Sequence, residues 1–341
     1  MENDIYKKFE NKLKNMNENE LFCIYIDFPF CKSKCEYCIY NSIPYLEGKE
    51  LREEYVDSFF KQLDFYKSLF NIRTPDSIYF GGGTPSLWRI DELDRIIGSI
   101  PEYEKIKMKK TETHPSDLDD ERIKYYAEVM KMNVVSVGVQ SFDKNSCIGQ
   151  KRIWVDKYRI KHIVDEFHKY GIFVNIDLVA LFNGDEEENW NIFEEDMNIA
   201  CNVVKPDIIT SIPNYKTKLV YIEQIPRFRN ILKKYVGVSY FPLSKKMLSL
   251  DMNEINKYGE NDHWIATPKY WEYQEKNIRY SSSHPAPTPP QNQVTISFGG
   301  AQNHVVYSYI SSDEYVVYSA FNTETKTMDY FYNHRIKNIE S

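Results

Sequence analysis

The sequence predicts an α/β protein: a partial (β/α)6 barrel followed by a small α+β C-terminal portion. Three observations carry that expectation. Apolar β-rich runs and amphipathic helical stretches alternate six times between residues 21 and 215. Residues with chemistry to offer recur at the ends of successive strand segments, which is where a βα barrel collects its functional groups. After residue 215 the rhythm stops, and the last segments alternate in β fashion with many aromatics.

Residues 1–20 read as a charged helical lead-in. The first strand is expected over 22–28 (FCIYIDF), running into Pro29 and a cysteine loop. A helix over 49–70 follows, with Leu51, Tyr55, Phe59, Leu63 and Tyr66 on a repeating face. Residues 77–80 form the second strand, leading into GGGTPS and a helix over 90–99. The third strand is 106–113 and its helix 118–130; the fourth strand is 134–139 and its helix 155–170. The fifth strand is 172–178 with a helix over 187–202, and the sixth is 206–210. Right-handed crossovers between such units curve the sheet with its helices outside. Residues 21–215 are thus expected as the core and 216–341 as a substrate-specifying region. The latter holds a helical, mixed stretch over 228–260 and a proline-rich loop near 284–290. The β-type segments VTISFGG, HVVYSYI, EYVVYSAF and MDYFY close the chain.

The 42% hydrophobic and 27% charged content belongs to a chain that can bury a core. No run approaches the roughly 18 apolar residues of a membrane span. The charged N-terminus does not read as a secretory signal, so a cytoplasmic protein is expected. Lys plus Arg is 43 against 50 Asp plus Glu, a net charge of −7. A nucleic-acid binder ordinarily shows the opposite balance, so no nucleic-acid partner is expected.

Of six cysteines, Cys31, Cys35 and Cys38 fall within CKSKCEYC. Soft thiolates converging in one short loop suit Zn²⁺ or an iron–sulfur cluster. A structural zinc site closes with four ligands, yet the next His is His114 and the next Cys is Cys147. Three thiolates suit a cubane cluster with one iron left open. Cys23, Cys147 and Cys201 read as small buried hydrophobes. Glycine is scarce, 13 residues in all, yet Gly81, Gly82 and Gly83 are consecutive and precede Thr84. Such a run lets a backbone approach a ligand closely, and an ordinary turn is the alternative. It is not a phosphate loop, because no GxxxxGK[ST] is present. Glu112 and His114 close the third strand, Gln140 and Ser141 follow the fourth, and Asp177 closes the fifth. Each of these, and Arg152, taken singly also fits a surface or capping role.

With CKSKCEYC and GGGTP in one chain, the sequence resembles the radical S-adenosylmethionine (SAM) enzymes. More narrowly, it is similar to the oxygen-independent coproporphyrinogen III oxidase-like subfamily. The segments that carry the resemblance are YIDFPFCKSKCEYC, IYFGGGTPSLW, TETHP, VSVGVQSF, the Arg in GQKRI, and FVNIDLV, with PKYW weaker. The resemblance implies that Cys31, Cys35 and Cys38 hold a [4Fe–4S] cluster whose fourth iron takes the SAM amino and carboxylate groups. One electron from a flavodoxin or ferredoxin would then split SAM into methionine and a 5′-deoxyadenosyl radical. It also implies SAM contacts at Tyr25, Tyr37 and Gly81–Thr84, with Glu112 on the amino group. Gln140, Arg152 and Asp177 match positions associated with a second SAM.

Departures from the family pattern narrow the expectation. Coproporphyrinogen oxidases carry a further Cys where Tyr40 stands. Haem-chaperone relatives carry His-Asn-x-x-Tyr-Trp where Ala266-Thr267-Pro268-Lys269-Tyr270-Trp271 stands. Asp27 replaces a histidine, and FNGDEE replaces an LPGQT-type turn. These point to the methyltransferase branch: class C-type methylation of an sp² carbon on a flat aromatic metabolite, using a second SAM. His114 or Glu112 would then be the base. The 27 Tyr suit stacking on such a substrate and equally suit a packed core. The alternatives are porphyrin oxidation or haem breakdown, and a haem chaperone with vestigial SAM cleavage.

Overall fold

The computed structural model describes residues 2–38, 42–45, 49–180, 187–214, 225–235, 239–242, 263–276, 293–299, 306–310, 315–322 and 327–334. Helix α1 (Glu2–Asn15) leads into β1 (Leu21–Phe28), and short β2 (Phe30–Cys31) and β3 (Ile43–Pro44) follow. Then come α2 (Lys49–Tyr66), β4 (Ser77–Gly82), α3 (Ile90–Gly98), β5 (Met108–Thr113) and α4 (Asp120–Glu128). The run continues through β6 (Val134–Gln140), α5 (Lys144–Gly149), α6 (Lys157–Lys169), β7 (Phe173–Ala180), α7 (Glu187–Ile199) and β8 (Ile208–Pro213). After it lie α8 (Ile225–Lys233), β9 (Phe241–Pro242), β10 (His263–Ala266), α9 (Pro268–Lys276), β11 (Gln293–Phe298), β12 (Val306–Ile310), β13 (Tyr315–Asn322) and β14 (Thr327–His334).

All six expected alternations of strand and helix are present, and local capping chemistry moves their ends. Helix α4 begins at Asp120 because the Asp119 carboxylate accepts the Arg122 N–H at 2.7 Å. Helix α6 begins at Lys157 because Asp156 accepts the Tyr158 N–H at 2.8 Å. The helix expected over 187–202 widens after Ile199 into a π-type turn, closed by Lys205 at φ 58°.

The chain divides into two compact units. In the first (residues 1–32, 40–111 and 278–341), β11, β1, β4 and β5 lie side by side and parallel. β12, β13 and β14 continue from β11 as an antiparallel meander. The segment expected in a separate β-rich tail therefore supplies β11 to the parallel sheet. Helix α2 secures that join: Tyr55 Oη donates to the Asp27 carbonyl at 2.5 Å, and Gln62 Oε1 accepts the Gly299 N–H at 3.0 Å. One sheet face is dry, with Ile24, Ile26, Ile78 and Phe80 almost wholly buried. An aromatic cluster of Phe28, Trp88 and Phe59 fills the space beneath α2, with ring centroids 4.4 Å (Phe28–Trp88) and 5.0 Å (Phe59–Trp88) apart. Tyr25, Tyr79 and Lys110 lie across one row of the sheet and are only half-buried.

In the second unit (residues 33–39 and 112–277), β6, β7 and β8 run parallel, and β10 pairs antiparallel with β8. Val137, Val174 and Ile176 are buried, as are Ile163 and Phe167 of α6 and Trp190 and Phe193 of α7. Cys23, Cys147 and Cys201 are buried as expected, and burial pushes each thiol up to about 12. Among the described residues, no helix is long and apolar enough to cross a membrane. The proline-rich loop near 284–290, Tyr40 and most of the FNGDEE turn lie outside the described residues.

Candidate functional site in the cysteine loop and strand ends

Cys31, Cys35 and Cys38 are in no disulfide and are only half-buried, unlike the other three cysteines, which are buried. In the first unit, the stem of the cysteine loop is pinned by backbone. The Ile43 N–H donates to the Pro29 carbonyl at 2.8 Å, and the Tyr45 N–H to the Cys31 carbonyl at 2.7 Å. Thr84 Oγ1 donates to Cys31 Sγ at 3.2 Å. The three glycines pack against this stem. A Cβ at Gly83 would meet the Phe30 carbonyl oxygen at 2.8 Å, and one at Gly82 the Phe28 nitrogen at 2.7 Å. Gly82 also sits at φ 109°, a conformation that disfavours any side chain. At Gly81 a Cβ would strike Tyr25 Oη at 2.6 Å, and Tyr25 stacks on Tyr79 with centroids 5.7 Å apart. Close approach is therefore the reason for the glycines, and what they approach is the cysteine-loop stem and Tyr25.

In the second unit, the rest of the loop is held by the segment after α5. The Cys38 N–H donates to the Cys35 carbonyl at 3.2 Å, and the Glu36 N–H to the Gln150 carbonyl at 3.0 Å. The guanidinium of Arg152 is buried and donates to Tyr37 Oη at 3.0 Å, to the Val139 carbonyl at 3.3 Å and to the Gly138 carbonyl. Its Nη1 also lies 3.9 Å from Cys35 Sγ. A cation that donates in several directions at once is a guanidinium's particular ability. Burial pushes the Tyr37 phenol above its ordinary range, so Tyr37 stays neutral beside it.

Gln140 ends β6 after a bulge, with its backbone at φ 70°. Its Oε1 is buried and has no hydrogen-bond partner among the described residues. An orphaned acceptor of this kind is costly unless something donates to it. Asp177 does not close its strand, since β7 runs on to Ala180. It instead accepts from Ser136 Oγ and Asn175 Nδ2, both at 2.8 Å, and Asn175 Oδ1 in turn accepts from Thr210 Oγ1 at 2.9 Å. Burial raises the Asp177 carboxyl above its ordinary value, against the lowering by those donors and Arg152. Glu112, in the last turn of β5, and His114 just after it are half-buried. His114 Nδ1 accepts the Ser116 N–H at 3.1 Å, which leaves the proton of the neutral ring on Nε2.

Sequence reasoning missed Asp196, which sits on the apolar face of α7 and is buried. Its Oδ1 accepts the Phe142 N–H at 2.7 Å, holding the QSF turn that carries Gln140. A charged residue three positions from Phe193 on an otherwise apolar helix face was the available signal. Burial pushes its carboxyl up to about 7, against hydrogen bonds from Ser141 and Phe142 that lower it. The folded chain thus keeps a proton that the unfolded chain releases near 3.8, so this group makes stability fall as pH rises from about 4 to about 7 and level off above. Asp196→Asn retains the oxygen acceptor. It is expected to flatten that slope, by on the order of a few kcal/mol across the window, in thermal melts from acid to neutral pH.

Among the described residues no three His, Cys, Asp or Glu side chains come together as around a single metal ion. The first unit presents Cys31 on a stem pinned by main-chain bonds, and the second presents Cys35, Cys38 and the unpartnered Gln140 oxygen.

The chain belongs to the radical SAM superfamily, whose family profile matches residues 25–196. It is 31% identical over 170 residues to the heme chaperone HemW of Lactococcus lactis, an alignment covering 48% of this chain and 42% of that protein. It is 32% identical over 129 residues to the oxygen-independent coproporphyrinogen III oxidase of Helicobacter pylori, covering 35% and 27%. The matched part is thus less than half the length of either relative. The fold is shared with the coproporphyrinogen III oxidase HemN of Escherichia coli, described as a radical SAM enzyme. That match has a TM-score of 0.60 at 15% identity and covers 93% of this chain and 70% of that one. These likenesses fit the coproporphyrinogen oxidase-like subfamily that includes haem chaperones, and the radical SAM family implies a [4Fe–4S] cluster and SAM. Thiolates are the donors that such a cluster takes, and Cys31, Cys35 and Cys38 are in no disulfide.

Proposed function

We propose that the chain is a haem-handling radical SAM protein of the chaperone kind, which carries a [4Fe–4S] cluster and SAM and binds haem. The observation that supports this reading is the 31% identity over 170 residues to a protein named heme chaperone HemW. Methylation of an aromatic metabolite, the expectation drawn from the sequence departures, has no such support among these relatives. When bound, the cluster and SAM supply one-electron reductive cleavage of SAM.

In this reading Cys31, Cys35 and Cys38 are the cluster ligands. Gly81–Thr84 bring their backbone against the loop stem without side-chain bulk, and Tyr25 and Tyr37 offer aromatic walls. Glu112 accepts from an amino group. Gln140 Oε1 takes the donor that it lacks in the protein, such as a ribose hydroxyl, and Asp177 presents a carboxylate oriented by Ser136 and Asn175. Arg152 holds the Gly138–Val139 backbone in place and pairs with a carboxylate. His114, with its proton on Nε2, donates to a substrate oxygen rather than acting as a base there. Haem is held without a ligand at Ala266, which is fully buried and has no donor atom.

The test is an anaerobic haem titration of the reconstituted chain, with 5′-deoxyadenosine and S-adenosylhomocysteine quantified alongside. One haem per chain with little SAM turnover is the expected result. No haem affinity with both nucleoside products formed would return the reading to methyl transfer, and 5′-deoxyadenosine alone to an oxidase.

A further inference from the structure

Strand β5 departs from what a parallel sheet ordinarily asks of its strands. It reads MKKTET, with Met108 its one apolar residue, whereas strands covered on both faces are usually apolar runs. Its two lysines fall on opposite faces, as strand alternation requires. Lys109, in register with Ile78, lies on the dry face and is buried. Its ammonium donates to the Ile106 carbonyl at 2.7 Å and rests 5.4 Å from the Tyr103 ring centre. That charge is held by the protein itself. Lys110 stands on the other face, in register with Tyr79 and through it with Tyr25, and is half-buried.

The surroundings of Lys110 suit a flat anion. The row beneath it is closed, because Cys23, Ser77 and Met108 lie in register there and are almost wholly buried. Beside it, Tyr25 and Tyr79 stack with centroids 5.7 Å apart and planes 19° from parallel. Both rings lean over Gly81, where a Cβ would meet Tyr25 Oη at 2.6 Å and Tyr79 Cε1 at 2.8 Å. Gly81 thus leaves the pair room to lie as one aromatic surface next to the lysine. Burial lowers the Lys110 ammonium to about 8, with the Cys23 thiol working the other way. A cation taken out of water gains more from an anion than an exposed one does. An aromatic surface with a cation at its edge recognises a ligand that carries a carboxylate on a flat ring.

We propose that Lys110 sets ligand specificity in this chain: its ammonium takes one carboxylate of the tetrapyrrole, a haem propionate, beside the Tyr25–Tyr79 surface. The inference rests on the haem-handling reading above and names a residue that carries it. SAM also bears a carboxylate, so the cofactor is the competing source of the anion, and the experiment separates the two.

The test titrates the reconstituted chain, Lys110→Met and Lys110→Arg with haem and with haem dimethyl ester, whose propionates are capped. The Soret band is followed in one mixed solvent throughout. Lys110→Met is expected to weaken haem binding by about tenfold or more, the loss of one charge-assisted contact. Ester binding should stay within about twofold, since no carboxylate is there to lose its partner. Lys110→Arg keeps the cation and should hold haem within about threefold of the unaltered chain. SAM affinity, measured by equilibrium dialysis, should be the same in all three. Met matches Lys in length and removes a desolvated charge, so a urea melt should find Lys110→Met at least as stable.

A Lys110→Met chain that binds haem at the unaltered affinity overturns the proposal. So does an equal loss for haem and ester, which would assign Lys110 to a protein carboxylate such as Glu112, two residues along the same face. Lost SAM affinity with haem affinity intact overturns it as well, because the carboxylate is then the cofactor's. The unaltered chain supplies a comparison that no misfolded variant can confuse. It should prefer haem to the ester by about tenfold, and equal binding of the two sinks the Lys110 assignment alone. If the unaltered chain binds neither, the haem-handling reading fails and the assignment fails with it.

Discussion

Cys35→Ala is expected to leave the reconstituted chain without the thiolate–iron absorbance near ~400 nm and with SAM cleavage at background. The reason is that three thiolates leave no spare ligand. The only other cysteines, Cys23, Cys147 and Cys201, are buried with thiols held up to about 12 by burial, so none is ready to substitute as a thiolate. The loop's path should survive the change, because its bonds are main-chain bonds. The Cys38 N–H still reaches the residue 35 carbonyl, and the Glu36 N–H still reaches Gln150. Apo-protein stability should therefore shift by no more than about 0.5 kcal/mol, as for a partly exposed substitution. Cys147→Ala gives the converse: the cluster kept, and stability lowered by a small core cavity. Iron and sulfide content, the visible spectrum and a urea melt of each variant separate the two. A Cys35→Ala protein that retains cluster and turnover would refute the ligand assignment.

Gly82→Ala is expected to cost about 3 kcal/mol or more of stability. Two penalties coincide. The backbone is at φ 109°, and the new Cβ would lie 2.7 Å from the Phe28 nitrogen and 2.8 Å from its carbonyl oxygen. Neither obstacle is a flexible side chain. Relief would require β4 to part from β1 where the Gly83 N–H meets the Phe28 carbonyl at 2.7 Å. Gly98 is the control, since a Cβ there meets nothing within 4 Å at the end of α3. Gly98→Ala should be neutral or stabilising by up to about 1 kcal/mol. Urea midpoints of the two variants decide it, and equal midpoints would refute the close-packing account of the glycine run.

These expectations show which parts of the site were legible beforehand. The cysteine spacing, the glycine run and the residues at strand ends could be read from sequence because each depends on a short stretch of chain. Asp177 was singled out, but its setting was not: Ser136, Asn175 and Thr210 come from three strands, and they meet only through the register of β6, β7 and β8. Asp196 escaped notice because its partner, the Phe142 N–H, is 54 residues away along the chain. Arg152 was singled out only as a position associated with a second SAM, and the structure shows it bracing Gly138, Val139 and Tyr37.

The order of strands and helices followed from sequence alone, because hydrophobic period and capping residues act within a few positions of each other. The same holds for the family, since its signature lies in contiguous segments. Folding decided the rest: that β11 joins β1 in the parallel sheet, that the glycines press on the cysteine-loop stem, and that Lys151 pairs with Glu36. Each of these depends on groups far apart in sequence coming to hydrogen-bonding or van der Waals distance, and hydrophobic period and local propensity carry no information about such pairs.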